Sequence, residues 1–202
     1  DSAYSYTVTT SDVDSGDTVT LAGTTVPSWL SFNASTGALT GTPLNAHVGN
    51  HEVVITATDE SSSSVTQSFT ITVANVNDAP TFTSTAVTSA TEDSAYSYTV
   101  TTNDVDVGDS VTLAGTTVPS WLSFNASTGA LTGTPLNAHV GDHSVVITAS
   151  DQNSGSTTQS FTITVANVND APTFTSTAVT SATEDSAYSY TVTTSDVDSG
   201  DT

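Results

Sequence analysis

The sequence predicts an all-β protein built from tandem Greek-key β-sandwich modules, and three observations predict it. The chain repeats itself with a fixed period: residues 1–92 align without a gap on residues 93–184, identical at 82 of 92 positions. Residues 185–202 then copy residues 1–18 letter for letter. Within each repeat, apolar and polar residues alternate with the period of a strand, and turn residues recur at short intervals. No stretch carries a helical period.

The elements follow in order. Tyr96, Tyr98 and Val100 alternate with Ser97, Thr99 and Thr101, which predicts a strand with one buried face. Val145, Ile147 and Ala149 alternate with Val146 and Thr148, so this strand is apolar on most of both faces. Phe161, Ile163 and Val165 alternate with Thr162 and Thr164. Turns are expected at Asp104–Asp109, Asn125–Gly129, Gly133–Pro135, Gly141–Asp142 and Asn153–Gly155. About seven short strands in such a module suit a Greek-key sandwich.

Val73-Ala-Asn-Val-Asn-Asp-Ala-Pro80 recurs as Val165–Pro172 and punctuates the array, because proline ends a strand and stiffens the connection. The expected boundaries are a module lacking its first strand at 1–78, a complete module at 79–170, and the first strands of a third at 171–202. The ten differing positions are 11, 15, 18, 50, 52, 58, 60, 61, 63 and 65, all in or beside expected turns.

Composition narrows the function. The chain has no Lys or Arg against 21 Asp and Glu, for a net charge of −21. Salt bridges to Lys or Arg are excluded, and nucleic acid is excluded as a partner because phosphate neutralisation needs those cations. The same charge argues against anionic membranes, and no apolar run is long enough to span a bilayer. The absence of cysteine removes disulfides, thiolate zinc sites and cysteine nucleophiles. Clustered carboxylates with Asn and backbone oxygens suit a hard divalent ion such as Ca2+, the one staple left to this chemistry.

The string Pro119-Ser-Trp-Leu-Ser-Phe-Asn-Ala-Ser-Thr-Gly-Ala-Leu-Thr-Gly-Thr-Pro135, followed by Val140-Gly141 and Ile147-Thr-Ala-Ser-Asp151, resembles the dystroglycan-type cadherin-like repeat. That group overlaps the bacterial immunoglobulin-like repeats of large surface adhesins. The resemblance implies tandem cadherin/immunoglobulin-like sandwiches on an extracellular bacterial surface. It also implies calcium residues. The Asn75–Pro80 segment resembles the cadherin inter-module linker, Asp104–Asp109 its Asp-x-Asp loop, Ala149–Asp151 its late Asp motif, and Thr91-Glu92-Asp93 the acidic site after its first strand.

By that analogy a first junction gathers Asn77 and Asp78 with Asp104, Asp106 and Asp151. A second gathers Glu92, Asn169 and Asp170 with Asp196 and Asp198. Asp12, Asp14 and Asp59 form a half-site. The linker has Asn75 and Asn167 where cadherins usually carry Asp, and no Asp-x-Glu loop stands near Gly133–Asn137. One or two ions per junction are therefore expected.

Other residues read more plainly. Trp29 and Trp121 are expected in the core beside Leu30 and Phe32 and their repeats, not on a sugar-stacking surface. His47/His51 and His139/His143 share a zinc-like spacing, but Gly49 and Gly141 interrupt it at a turn, so His51 and His143 are expected to fill aromatic positions. Asn33-Ala-Ser35 and Asn125-Ala-Ser127 are expected as turns. No nucleophile elbow is present, and no enzyme is expected.

The function expected is a spacer in an adhesin or surface fibre of adhesion and biofilm, rigidified by Ca2+, with neighbouring modules as partners. Two alternatives are a polysaccharide-binding module and a self-assembling filament. In the filament, the unpartnered strands of 171–202 enter the incomplete module of another chain in a homotypic strand exchange.

Overall fold

In the computed structural model, which describes residues 2–198, β-branched and aromatic runs form strands and the Asp/Asn/Gly segments turn between them. Asp1 and residues 199–202, at the end of the expected third module, lie outside the described residues. Contacts divide the chain into two units, 1–77 and 78–202.

Unit 1 holds β1 (Tyr4–Thr7), β2 (Thr20–Thr25), β3 (Leu30–Asn33), β4 (Ala38–Gly41), β5 (Gly49–Thr58) and β6 (Ser64–Val73). Its sheets have the orders β1-β4-β3 and β2-β5-β6. Their inner faces enclose Val8, Trp29, Leu30, Leu39, Val53 and Ile55.

Unit 2 repeats this plan with an added strand pair. It holds β7 (Thr81–Phe82), β8 (Ser89–Thr91), β9 (Tyr96–Thr99), β10 (Thr102–Asn103), β11 (Thr112–Thr117), β12 (Leu122–Asn125), β13 (Ala130–Gly133), β14 (Gly141–Ser150) and β15 (Ser156–Ala166). The sheets are β11-β14-β15-β8 and β12-β13-β9, with a two-stranded β7-β10 pair. Residues 81–91 thus bond first to β10, antiparallel, and then to β15, parallel. The same stretch ties together the two layers of the sandwich. Beyond it, β16 (Thr173–Phe174) and β17 (Thr194–Ser195) form one more antiparallel pair.

The alternation predicted for β9, β14 and β15 is that of the core: Tyr96, Tyr98, Val100, Val145, Ile147, Ala149, Ile163 and Val165 are all buried. The parallel addition of β8 was not predicted, nor was the division of the module's first strand into two. Gly141 and Asp142 are corrected from turn to strand: they begin β14 opposite Val165 and Thr164. Gly141 does take a positive φ of 113°, so the chain bends on entering the strand.

Two glycines of the motif are required by close approach. A Cβ on Gly133 would stand 2.1 Å from the Trp121 carbonyl oxygen. One on Gly129, at φ +71°, would stand 2.3 Å from that of Val100. The Thr-Gly…Gly-Thr-Pro string is therefore a packing requirement of the β12–β13 hairpin. The helical content among the described residues is two single 3-10 turns, Asn45–His47 and Asn137–His139. No helix among them is long and apolar enough to cross a membrane.

Candidate metal centre

The acidic residues are placed by loops whose own backbone they organise. In the loop after β10, the Asp106 amide donates to Asp104 Oδ1 at 2.9 Å, an Asx turn that puts both carboxylates on one side. Asp104, Asp106 and Asp109 bring carboxylate oxygens within 4.8 Å of one another, as do Asp12, Asp14 and Asp17. Asp109 and Asp17 were not among the predicted ligands. The six-residue Asp-x-Asp-x-Gly-Asp spacing was the signal for them. Asp109 is engaged by the next loop, accepting from Gln152 Nε2 at 3.0 Å and Asn153 Nδ2 at 2.8 Å.

Asp78 belongs to this group, since its amide donates to Asp106 Oδ2 at 2.7 Å. Asp151 is 8 % exposed, and its Oδ1 accepts from the Asn153 and Gly155 amides, both at 2.8 Å. It shapes the β14–β15 loop as well as standing in the predicted set. Asn77 lies in the other unit. In unit 1, Asp14 donates its amide to Asp12 Oδ1, and the Ser63 amide reaches Asp59 Oδ1. Asp12 and Asp59 line one shared cavity there.

The second predicted set lies wholly within unit 2. The Asp170 amide donates to Asp198 Oδ2 at 2.6 Å, and the Asp198 amide to Asp196 Oδ1 at 2.9 Å, repeating the geometry of Asp78, Asp106 and Asp104. Asn169 Nδ2 turns back to the Asp170 carbonyl. Glu92 is 2 % exposed and accepts the Val168 amide at Oε2. Asn137, on the second 3-10 turn, donates to Asp198 Oδ1 at 2.9 Å. Sequence reasoning missed Asn137, because it looked for an acidic side chain at Gly133–Asn137 and the chain supplies an amide there.

Electrostatics separate Asp170 from ordinary surface acids. Desolvation, and then the carboxylates of Asp198, Glu92, Asp93 and Asp196, raise the Asp170 carboxyl above its usual value. The buried oxygens Glu92 Oε1, Asp104 Oδ2 and Asp106 Oδ1 have no hydrogen-bond partner. A buried, unpartnered carboxylate oxygen is costly, and this chain has no Lys or Arg to compensate it. Clustered carboxylate oxygens with no Lys or Arg in the chain to answer them are hard oxygen donors of the kind a divalent ion takes. The residues present fit Ca2+.

Aromatic and histidine residues take structural places. Trp29 and Trp121 are buried. Each contacts both histidines of its unit, with Trp121–His143 ring centroids 5.8 Å apart. His139 Nδ1 accepts the Leu136 amide, and His143 Nε2 lies 2.7 Å from the His139 carbonyl. The pair caps the 3-10 turn and packs on tryptophan. Asn125 Oδ1 accepts the Ser127 and Thr128 amides, the turn expected there.

Comparison with known proteins agrees with the fold. The family described as "Putative Ig domain" matches residues 1–74 and 79–166. The "Serine-rich adhesin for platelets" of Staphylococcus aureus is 32 % identical over 151 residues, which is 75 % of this chain and 6 % of the adhesin. The chain thus spans a small fraction of the curated relatives it matches. Among solved structures, the protocadherin GammaB4 extracellular domain aligns over 90 % of this chain and 32 % of that one, with a TM-score of 0.57 and 21 % identity. Protocadherin Gamma B2 cadherin domains 3–6 align over 90 % and 49 %, with a TM-score of 0.56 and 19 % identity. These two likenesses concern the fold.

Proposed function

Because the chain belongs to the He_PIG family of immunoglobulin-like domains, we propose that it is a stretch of the repeat region of an extracellular bacterial surface adhesin, non-enzymatic and serving adhesion and biofilm as a Ca2+-rigidified spacer. Similarity to a staphylococcal adhesin supports the adhesin setting and the cell-surface location. The modules 1–78, 79–170 and 171–202 would be successive links, each partnered by its neighbours.

The observation that carries the calcium reading is Glu92. Its carboxylate is almost fully buried, yet Oε1 has no donor, and Asp170, Asp196 and Asp198 face the same region. Glu92, Asn169, Asp170, Asp196 and Asp198 would hold one ion. Asp78, Asp104, Asp106 and Asp151, with Asn77 from the linker, would hold another, and Asp12, Asp14 and Asp59 would offer a half-site. The ion would relieve carboxylate repulsion, and removing it would restore that repulsion and loosen the hinge. Burial of both tryptophans favours the spacer over a polysaccharide-binding module, which needs an exposed aromatic platform.

Titration calorimetry with Ca2+, paired with small-angle scattering in Ca2+ and in excess chelator, tests this. Expected are saturable binding, a stiffer particle with the ion, and affinity lowered tenfold or more in Glu92→Gln. No binding heat and superimposable scattering curves would overturn it.

A further inference from the structure

The two Asp-x-Asp loops share one internal frame and differ in what holds them from outside. In each, the amide of the second Asp donates to Oδ1 of the first at 2.9 Å, Asp14 to Asp12 and Asp106 to Asp104. In each, the amide of the last Asp donates to the carbonyl of the second, Asp17 to Asp14 and Asp109 to Asp106. The three carboxylates of each loop then stand with oxygens within 4.8 Å of one another. Like charges this close repel, so the loop backbone alone does not fix where its last carboxylate points.

In unit 2 the outside support comes from the β14–β15 loop. Gln152 Nε2 donates to Asp109 Oδ1 at 3.0 Å and to the Gly108 carbonyl at 3.4 Å. Asn153 Nδ2 donates to Asp109 Oδ2 at 2.8 Å, and the Asn153 backbone amide donates to Asp151 Oδ1 at 2.8 Å. Asn153 therefore joins two carboxylates that arrive on different loops. Each Asp109 oxygen accepts one side-chain amide and keeps a second lone pair for a cation. The cluster also holds an oxygen that calls for one: Asp106 is 4 % exposed, and its Oδ1 has no hydrogen-bond partner.

Positions 152 and 153 are two of the ten at which the repeats differ, and unit 1 has Glu60 and Ser61 there. Glu60 accepts from Thr18 Oγ1 at 2.6 Å. An ionised carboxylate has no hydrogen to give to Asp17. Gln152 and Asn153 are exposed, so core packing does not demand an amide at either position.

We propose that Gln152 and Asn153 are positioning residues for Ca2+, an amide clasp that holds Asp109 and Asp151 in register with Asp104 and Asp106 before the ion arrives. The inference rests on the calcium reading above and adds to it that the repeats are graded: the loop of unit 2 is clasped and that of unit 1 is not. Donors that orient a ligating carboxylate typically change metal affinity by about 10–100-fold.

Nuclear magnetic resonance of the isotope-labelled 202-residue chain, titrated with Ca2+ from chelator, reads each loop separately through its own amides. Gln152→Ala with Asn153→Ala should weaken Ca2+ at Asp104–Asp109 by about tenfold or more. Affinity at Asp170 and Asp198 and the melting midpoint in chelator should stay as they were. The reverse graft, Glu60→Gln with Ser61→Asn, should tighten Ca2+ at Asp12–Asp17 by about tenfold. Unchanged affinity in both double variants overturns the clasp and leaves the calcium reading standing. Affinity lost equally at Asp104–Asp109 and at Asp170 and Asp198, with a lowered melting midpoint, also overturns it, because the amides then only support the fold. No Ca2+-dependent shift anywhere in the unsubstituted chain overturns the calcium reading and the clasp together.

Discussion

Two units of nearly the same sequence differ in what their strands bury. Tyr96 and Tyr98 are buried where Tyr4 and Tyr6 are half-buried, and Ile163 and Val165 are buried where Ile71 and Val73 are not. Asp106 is 4 % exposed, and its counterpart Asp14 lies open to solvent. None of these pairs differs in residue type. The difference comes from residues 79–91, which lie across the sandwich of unit 2 and have no counterpart within unit 1. Leu39 and Leu131, at the centre of each sandwich, are fully buried in both. The centre is thus independent of the first strand, whereas the rim and the acidic loops depend on it.

Core truncations should give the largest effects and separate centre from rim. Leu39→Ala and Leu131→Ala should each cost about 2–5 kcal/mol in their own unit, by similar amounts. Ile71→Ala should cost measurably less than Ile163→Ala, since Ile71 keeps part of its surface in water in the native state. Chemical denaturation with a probe in each unit reads both pairs. Equal costs for the two isoleucines would break the comparison.

Thr83→Pro comes next. It removes the amide that bonds to Thr101 and should destabilise unit 2 by about 1–3 kcal/mol. Hydrogen exchange at Tyr98 and Val100 should then approach that at Tyr6 and Val8, with unit 1 unchanged. Calcium should sharpen the contrast further. At about a hundred times its dissociation constant it should stabilise unit 2 by about 2.7 kcal/mol, and unit 1, with its open half-site, by less. Melting curves in Ca2+ and in chelator measure both.

The smallest effect is alkaline. Burial, with Tyr98 beside it, pushes the Tyr96 phenol up to about 12, whereas Tyr4 is raised with no such large displacement. A raised tyrosine favours the neutral folded form. Its contribution is complete below the ordinary value near pH 10 and is lost as pH rises from there towards about 12. Tyrosinate absorbance during an alkaline titration should show Tyr4 ionising before Tyr96.

Much of this was legible in the chain. The alternation of Val145, Ile147 and Ala149 marked a buried strand because side chains project with period two. Trp121 was legible as core from Leu122 and Phe124 beside it. The Asp104, Asp106, Asp170 and Asp198 loops were legible as one recurring acidic pattern. Asn137 was not, because a neutral amide on a 3-10 turn has no local signature, and its role arises when Asp198 folds against it from 61 residues away. The parallel addition of β8 was likewise invisible: pairing between Ser89 and Thr164 is decided by the sandwich and not by either segment.

By itself the sequence determined the repeat, the strands, their inward faces and the lack of any Lys or Arg to answer its carboxylates. These are local or compositional properties, carried by residue type and spacing. Tertiary structure decided which of two identical side chains is sealed from water and which carboxylate oxygen is left buried without a donor. Both depend on a strand arriving from elsewhere in the chain. Burial and desolvation belong to that arrangement, so Asp14 and Asp106 share one sequence context and end in different environments.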